Sequence, residues 1–213
     1  INTASPGDVV YVRNGTYYEN IVVNKTVMLI GESRDTTIID GRGSGTVIMV
    51  SSNNSMVNNL TIRNSGEKWN SEWPCGILLN SVGNCDLTDN IITNNTLGVF
   101  LDSSSSNTLK NNNMTANRYN FGVLGLKLSH YVQDVDTSNL VDGKPVCYWV
   151  NHHKEEVPSD AGYVALINST SIMVKNSSLK NNLAGMLIVY SRNSTITNNT
   201  VSKNYVGIWL LFS

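Results

Sequence analysis

Three groups of polar residues have the types and spacing to do chemistry. The first is a set of aspartates, Asp86, Asp89 and Asp102. Hydrolysis of a glycosidic bond needs two such carboxyls, one to protonate the leaving group and one to activate water or attack. Lys110 is the one basic side chain that the regular repeats supply to the same column. Because Asp89 and Asp102 fall at different places in successive repeats, we expect solvated turn carboxylates and not a catalytic pair.

The second group is the motif QDVD with its neighbour His130. Asp134 and Asp136 alternate, so both would lie on one face of a strand, where His130 could complete a small acid–base or metal cluster. A solvent-facing strand edge accounts for the same pattern, and both interpretations stay open.

The third group is His152 and His153, followed by Glu155 and Glu156. Imidazole and carboxylate groups are common metal ligands. Adjacent residues of a strand point in opposite directions, however, so two neighbouring histidines make a poor chelate without a further ligand. The methionines are scattered and form no copper motif. We therefore expect no catalytic residues, no metal site and no cofactor.

Composition argues against several classes of protein. The 213 residues carry a formal net charge of −1, charged residues make up 15% of them, and there is no basic cluster. Binding to nucleic acid or to an anionic membrane needs a basic surface, so we expect neither partner. No apolar run reaches the length of a membrane span.

The three cysteines are Cys75, Cys85 and Cys147. They allow one disulfide and an odd thiol, or no bridge at all. Their spacing matches no zinc motif, which favours buried free thiols.

The elements that position these residues are near-copies of one segment. The copies open at Gly76, Gly98, Gly162, Gly185 and Gly207. Each full copy holds three short apolar runs, and alternate residues of the first run match between copies, as Ile77 and Val99 do. Three strands in each repeat of 22 to 24 residues predict an all-β fold, a three-sided right-handed parallel β-helix of about seven rungs.

Asparagine recurs in register in two columns. One holds Asn111, Asn176 and Asn198 with Asp89 as an acidic variant, and the other holds Asn95, Asn117, Asn182 and Asn204. Stacked amides can hydrogen-bond as a ladder, and asparagine tolerates the left-handed backbone of tight turns. These columns therefore predict corners of the coil.

We expect one β-helix domain over residues 1–213. Residues 1–44 would form the opening coils, 45–122 regular rungs with a loop at 67–74, 123–161 an enlarged rung, and 162–213 regular rungs with an incomplete last one. An incomplete rung leaves an open strand edge. This predicts contact with a further part of a longer protein, or with another copy end to end.

Two stretches resemble known β-helix proteins. SPGDVVYVRNGTYYENIVV is similar to the first coils of pectate-lyase-like proteins, and DTSNLVDGKPVCYWVN with VPSDAGYVALIN is similar to a stretch of NosD-type proteins. The resemblance implies a β-helix protein of the periplasm or cell surface. NosD-type proteins are associated with copper delivery to nitrous oxide reductase, and other proteins of this fold cleave polysaccharides.

An apolar stripe occupies positions of the first strand that should point outward. Its residues are Leu78, Phe100, Leu187 and Trp209. An outward sheet face is normally polar, so this stripe must be covered by the 123–161 segment, by another domain or subunit, or by sugar rings stacked on it. Trp69 and Trp73 in the 67–74 loop are further candidates for binding.

Several Asn-x-Ser/Thr sequons are present, and the candidate glycosylation sites are Asn14, Asn24, Asn168 and Asn193. The abundance of Asn, Ser and Thr generates some sequons by chance. They support an extracellular setting without establishing it.

These observations predict a non-catalytic structural module of the cell surface, extracellular space or periplasm, serving as a scaffold, surface layer or filament component. Its expected partners are other subunits or domains of the cell envelope, with glycans as a further class. The first alternative is a protein that binds or cleaves polysaccharide. The second alternative is a periplasmic copper-handling protein.

Overall fold

The computed structural model describes residues 1–67 and 73–213, and its elements are short strands with one 3-10 helix. Val, Ile, Leu, Met and Thr form the strands because these side chains pack well on a pleated surface, while Asn, Ser and Gly supply the corners. No helix in the described ranges has the length and apolar character needed to cross a membrane.

The strands form two stacks of coils. The first stack contains β1 Val9–Val12, β2 Gly15–Tyr17, β3 Ile21–Val23, β4 Met28–Gly31, β5 Thr37–Asp40, β6 Ile48–Val50, β7 Met56–Asn58, β8 Thr61–Arg63, β9 Cys75–Asn80, β10 Asp86–Thr88, β11 Ile91–Thr93, β12 Leu97–Asp102, β13 Thr108–Lys110, β14 Asn113–Thr115, β15 Tyr119–Leu124, the 3-10 helix Leu128–Tyr131, β16 Asp134–Val135 and β17 Leu140–Val141. The second stack contains β18 Lys144–Val150, β19 Tyr163–Ile167, β20 Met173–Lys175, β21 Ser178–Lys180, β22 Ala184–Val189, β23 Thr195–Thr197, β24 Thr200–Ser202 and β25 Val206–Leu211.

Three parallel sheets form the sides of the first stack. Sheet A contains β1, β4, β7, β10, β13 and β16, sheet B begins with β2, β5, β8, β11, β14 and β17, and sheet C contains β3, β6, β9, β12 and β15. Each strand pairs with its counterpart one coil away, as Val99 does with Ile77 and Phe121. The fold is a right-handed parallel β-helix, which confirms the prediction from the repeat.

The chain reverses direction at a tight hairpin between the stacks. β17 pairs antiparallel with β18, with Val141 opposite Lys144, and the turn residues Asp142 and Gly143 have φ of 48° and 78°. An Asp-Gly pair suits this turn because both positions take positive φ. β18 then pairs in parallel with β19, which β22 and β25 follow, so sheet B continues into the second stack with reversed strands.

The two stacks lie on opposite faces of sheet B. Val146 and Tyr148 of β18 belong to the apolar core of the first stack, whereas Cys147 between them belongs to the core of the second. Neighbouring residues of a strand point to opposite faces, so β18 buries one face against each stack. The interval 123–161 thus contains the end of the first stack, the hairpin and the start of the second stack.

Backbone hydrogen bonds and aromatic rings close the junction from another side. Asn120 N donates to Asn181 O at 2.6 Å, and Leu183 N donates to Phe121 O at 3.0 Å. The Phe121 ring meets the Tyr163 ring edge-on, with 5.0 Å between centroids. Edge-to-face aromatic pairs of this kind are typical of protein cores. The two stacks therefore form one continuous body.

The two predicted asparagine columns have different roles. Asp89, Asn111, Asn176 and Asn198 have left-handed backbones, with φ between 53° and 56°. In the other column Asn95 Nδ2 donates to Asn117 Oδ1 at 3.0 Å inside the coil. One column therefore turns the chain, and the other forms an amide ladder.

A further ladder, which the sequence did not reveal, follows the left-handed column by one residue. Asn90 Nδ2 donates to Asn112 Oδ1 at 3.0 Å, and Asn112 Nδ2 donates to Asn139 Oδ1 at 2.9 Å. All three side chains are buried, at 0 to 1% exposure. Buried amides need partners, and each coil supplies them to the next one.

Asp40 anchors the corner that follows β5. It is 4% exposed, and its carboxylate accepts hydrogen bonds from Arg63 Nε at 2.8 Å, from Asn64 Nδ2 and from the Arg42 backbone N–H at 3.0 Å. Burial alone would raise the pKa of Asp40, but the Arg42 N–H, Asn64 and Arg63 together hold it below its ordinary value of 3.8.

We expect Asp40→Asn to lower the free energy of unfolding by about 1–3 kcal/mol at neutral pH, because Arg63 loses its charged partner. Since the folded-state pKa of Asp40 lies below the unfolded one, the carboxylate stabilises the fold above about pH 4 and loses this effect as pH falls through the folded pKa. Urea unfolding across pH measures the difference, with half-exposed Asp86→Asn as the control. A difference that persists in full at about pH 2 would contradict an ionised network.

Candidate functional site

The carboxylates that the sequence singled out lie apart. Asp86 is on the outer face of sheet A, Asp89 is at the corner between sheets A and B, and Asp102 ends a strand of sheet C. Lys110 pairs with Asp134 instead, at 3.4 Å between Nζ and Oδ2. Asp86, Asp89 and Asp102 therefore do not form a converging acid–base pair in this arrangement.

The second candidate group is also spread out. His130 lies in the 3-10 helix, Asp134 is exposed on β16, and Asp136 accepts a hydrogen bond from the Ser138 backbone N–H at 3.0 Å in a turn. Burial and the nearby Lys127 ammonium lower the pKa of His130. A neutral imidazole fits this position, and the aspartates are engaged elsewhere.

The third group lies in the turn that follows β18. The His152 ring stacks on Trp149 with 4.6 Å between centroids, and its Nδ1 is 3.0 Å from Glu155 Oε1. Glu156 is in an ion pair with a lysine, and His153 lies beside Thr170 of the next coil. Within residues 1–67 and 73–213, no three His, Cys, Asp or Glu side chains come together as a metal site.

The first half of the apolar stripe is covered by the second stack. Leu78 and Phe100 lie in one column of sheet C, and Gly122 continues that column. Leu183 fills the space beside Gly122, where an added Cβ would lie 2.6 Å from Leu183 Cδ2. Phe100 is accordingly 7% exposed, and Leu78 is half-buried.

The other half of the stripe faces the first stack. Leu187 and Trp209 are in register in the second-stack part of sheet B. Leu187 is 1% exposed within the core of the first stack, and half-buried Trp209 packs against the same core. The four residues of the predicted apolar stripe therefore lie at the junction of the two stacks, which is cover from within the chain.

Trp73 is half-buried in an aromatic cluster between the stacks. Its ring meets Tyr119 at 5.9 Å and Tyr205 at 4.8 Å between centroids, both edge-on. Trp69, the other tryptophan predicted to bind, lies outside the described residues.

The four candidate glycosylation sites are all exposed, as a glycan requires. They are Asn14, Asn24, Asn168 and Asn193. Their occupancy stays a prediction.

The cysteines are three buried free thiols. Burial raises the pKa of Cys75 to about 12 and that of Cys147 to about 11, and it also raises the pKa of Cys85. Metal binding by cysteine needs the thiolate. At neutral pH these side chains are protonated core residues.

A shallow groove of about 460 Å³, lined mostly by polar residues, follows one corner of the first stack. It is lined by residues that come directly after β5, β8, β11 and β14, so four successive coils contribute to it. Its first coil supplies Arg42, its middle coils supply Glu67, Asn94 and Thr96, and its last coil supplies Arg118. No sequence motif marks this surface, because its members are widely spaced along the chain.

Two methionines form a pair of soft donors on the outside of sheet A. Met28 and Met56 are in register on adjacent strands, and Asp86 continues the column on the next coil. Leu29 and Val57, which alternate with them, are buried in the core, so the thioethers are on the outer face, where both are half-buried. Thioether ligands favour Cu(I) among the biological metals.

Stacked three-sided coils, internal amide ladders and a side groove define a parallel β-helix protein. Within that class the chain belongs to the NosD family, described as periplasmic copper-binding protein, whose family model matches residues 1–142 and 146–213. The break between the matched segments falls at the hairpin, so each segment corresponds to one stack.

Solved structures of similar fold include two pectin methylesterases. The enzyme from Yersinia enterocolitica is 12% identical, with 99% of this chain and 90% of that chain covered and a TM-score of 0.41. The enzyme from Aspergillus niger is 13% identical, with 92% and 79% covered and a TM-score of 0.45. The search of curated proteins gave no match.

Proposed function

We propose that the chain is a non-catalytic structural module of the periplasm, a rigid β-helical body to which other components of the cell envelope bind. The junction between the stacks supports the rigid-body part of the proposal, because apolar side chains from both stacks pack together there. The amide ladders support rigidity along each stack. The family description agrees with a periplasmic setting.

The enzymatic alternative is tested by incubating the purified protein with pectate and with methyl-esterified pectin. Release of unsaturated ends, reducing ends and methanol is measured, and we expect none above the buffer blank. Product formation that Asp102→Ala or Asp136→Ala abolishes would replace the structural role by an enzymatic one.

Copper handling is the second candidate function, and the family description favours it. The buried thiols do not suit the metal, and the histidine turn offers a single imidazole–carboxylate pair, His152 with Glu155. The thioethers of Met28 and Met56 fit Cu(I), the soft oxidation state. Bound there, Cu(I) would be held as cargo on the outer face of sheet A.

We expect the wild-type protein to compete with a coloured Cu(I) chelator under reducing, oxygen-free conditions, and the double variant Met28→Leu, Met56→Leu to lose this competition. Absorbance of the chelator complex measures the transfer. Met173→Leu is the matched control, because Met173 is 37% exposed and pairs with Thr195.

Equal competition by the wild type and the double variant would exclude the Met28–Met56 thioether pair as the Cu(I) site. If His152→Gln with His153→Gln removes the binding instead, the copper site lies in the turn after β18.

A further inference from the structure

We propose that the corner groove binds an acidic oligosaccharide, with Arg42 and Arg118 pairing with its carboxylates. This inference goes beyond the structural role proposed above and does not depend on it.

The residues that line the groove follow one another along the coil axis and form a track, with a group on each coil. Four strands of sheet B end in register at Asp40, Arg63, Thr93 and Thr115. The corner residues that follow these strand ends line the groove on each coil. Coils rise by about 4.8 Å, so the first and last of these four coils lie roughly 14 Å apart. A polymer of repeated units suits a surface whose binding groups repeat in the same way.

A cation stands at each end of this track. The Arg42 guanidinium lies over the Tyr18 ring, 4.0 Å from its centroid, and the Arg118 guanidinium is 5.5 Å from the centroid of Tyr119. Neither has an ion-pair partner among the described carboxylates. Stacking on a ring restrains a guanidinium and leaves its N–H groups available to a carboxylate.

The middle of the groove offers neutral hydrogen-bonding groups. Asn94 is exposed, and the half-buried Thr96 hydroxyl donates to Gly66 O at 2.7 Å, which leaves its lone pairs to accept from a ligand. Ala116 occupies the corner position of the last coil, where the two coils before it carry Asn64 and Asn94. Its small side chain keeps the groove open.

Glu67 also lines the groove and limits how much negative charge a ligand can carry there. A phosphate polymer carries a charge on every unit and so places charge against this carboxylate, and the sequence contains no basic cluster to bind such a polymer. The Glu67 carboxylate accepts hydrogen bonds from sugar hydroxyls, while the arginines pair with acidic groups. Together these side chains match an oligosaccharide that carries both hydroxyls and carboxylates.

Isothermal titration with a size-defined oligogalacturonate, and with its methyl ester of equal length, tests the proposal. We expect binding of the acid that weakens as salt is added, and much weaker binding of the ester. Arg42→Gln and Arg118→Gln should each weaken binding of the acid roughly three- to tenfold. Glu67→Gln should strengthen it, because a repelling charge is removed from the groove.

Arg192→Gln is the matched control, since Arg192 is an exposed arginine of the second stack. The Arg192→Gln variant should bind the acid as tightly as the wild type does. Equal binding of acid and ester, no binding by the wild type, or a loss in Arg192→Gln equal to that in Arg42→Gln would overturn the proposal. The same samples are assayed for cleavage products: absence of binding overturns the groove alone, whereas product formation overturns the non-catalytic role alone.

Discussion

Replacement of Asn112 by leucine lowers the free energy of unfolding by about 3–5 kcal/mol, because several buried polar groups lose partners together. Asn112 donates to Leu87 O at 2.7 Å and to Asn139 Oδ1 at 2.9 Å. Its own Oδ1 accepts from the backbone and side-chain N–H groups of Asn90, at 3.2 and 3.0 Å. Leucine has a similar volume and can satisfy none of these groups.

Asn111→Gly is the control for this effect, since the neighbouring residue is the same amino acid in the opposite role. Asn111 is exposed and has φ of 53°, a conformation that glycine adopts without strain. We expect a loss of less than about 1 kcal/mol. Urea unfolding measures both variants, and similar losses for the two would mean that the buried ladder has no special weight.

Phe121→Ala produces the second large effect, a loss of about 3–5 kcal/mol. Phe121 is fully buried, and its ring lies between Tyr148 and Tyr163 of the second stack, with centroids 6.5 and 5.0 Å away. A cavity here weakens the contact between stacks more than the contacts within each. Because coils depend on their neighbours, we expect unfolding to separate into two transitions in calorimetry.

Two tyrosines next to Phe121 provide a matched comparison. The Tyr148 hydroxyl donates to Tyr131 O at 2.6 Å, whereas the buried Tyr163 hydroxyl has no hydrogen-bond partner among the described residues. Tyr148→Phe should therefore cost about 1 kcal/mol of unfolding free energy, and Tyr163→Phe should be neutral or stabilising.

A single unfolding transition in Phe121→Ala, with stability close to wild type, would show that the Phe121 ring does not join the stacks.

The fold class could be read from the sequence because the repeat is written in the chain itself. Alternate residues such as Ile77 and Leu79 show a strand with one buried face, and their matches at Val99 and Leu101 show the register. Parallel stacking follows, since each copy repeats the order of its strands.

The roles of the asparagines could not be read in the same way. Runs such as Lys110 to Met114 place Asn111, Asn112 and Asn113 side by side. Asn111 takes the left-handed turn and Asn112 enters the ladder, but both positions carry the same residue type. The residue type and the repeat period are the same for the two positions. Only burial of the side chain distinguishes them, and burial depends on how tightly the corner turns.

The reversal between the stacks was not predicted, since the sequence indicated an enlarged rung over 123–161. An Asp-Gly pair such as Asp142–Gly143 suits a hairpin, but a hairpin can end a solenoid, decorate it or redirect it. The outcome depends on which face of β18 is buried. Since Val146, Cys147 and Tyr148 are all buried, alternation gives no answer, and contacts with both stacks decide it.

The groove was invisible to sequence reasoning for a different reason. Arg42 and Arg118 are 76 residues apart in the chain, and stacking of the coils brings them to one surface. A search for motifs examines neighbours in sequence. In a solenoid, a site runs across the repeats, so it contributes one residue to each of several distant segments.

Residue-resolved hydrogen–deuterium exchange shows whether the two reversed stacks form one rigid body. The critical amides are those of Asn120, Val146 and Leu183, which donate to Asn181, Asn139 and Phe121 across the junction. If the two stacks form one body, these amides exchange as slowly as amides inside each stack. Fast exchange at these three amides, with slow exchange inside both stacks, would show two separately folded units and contradict the rigid body.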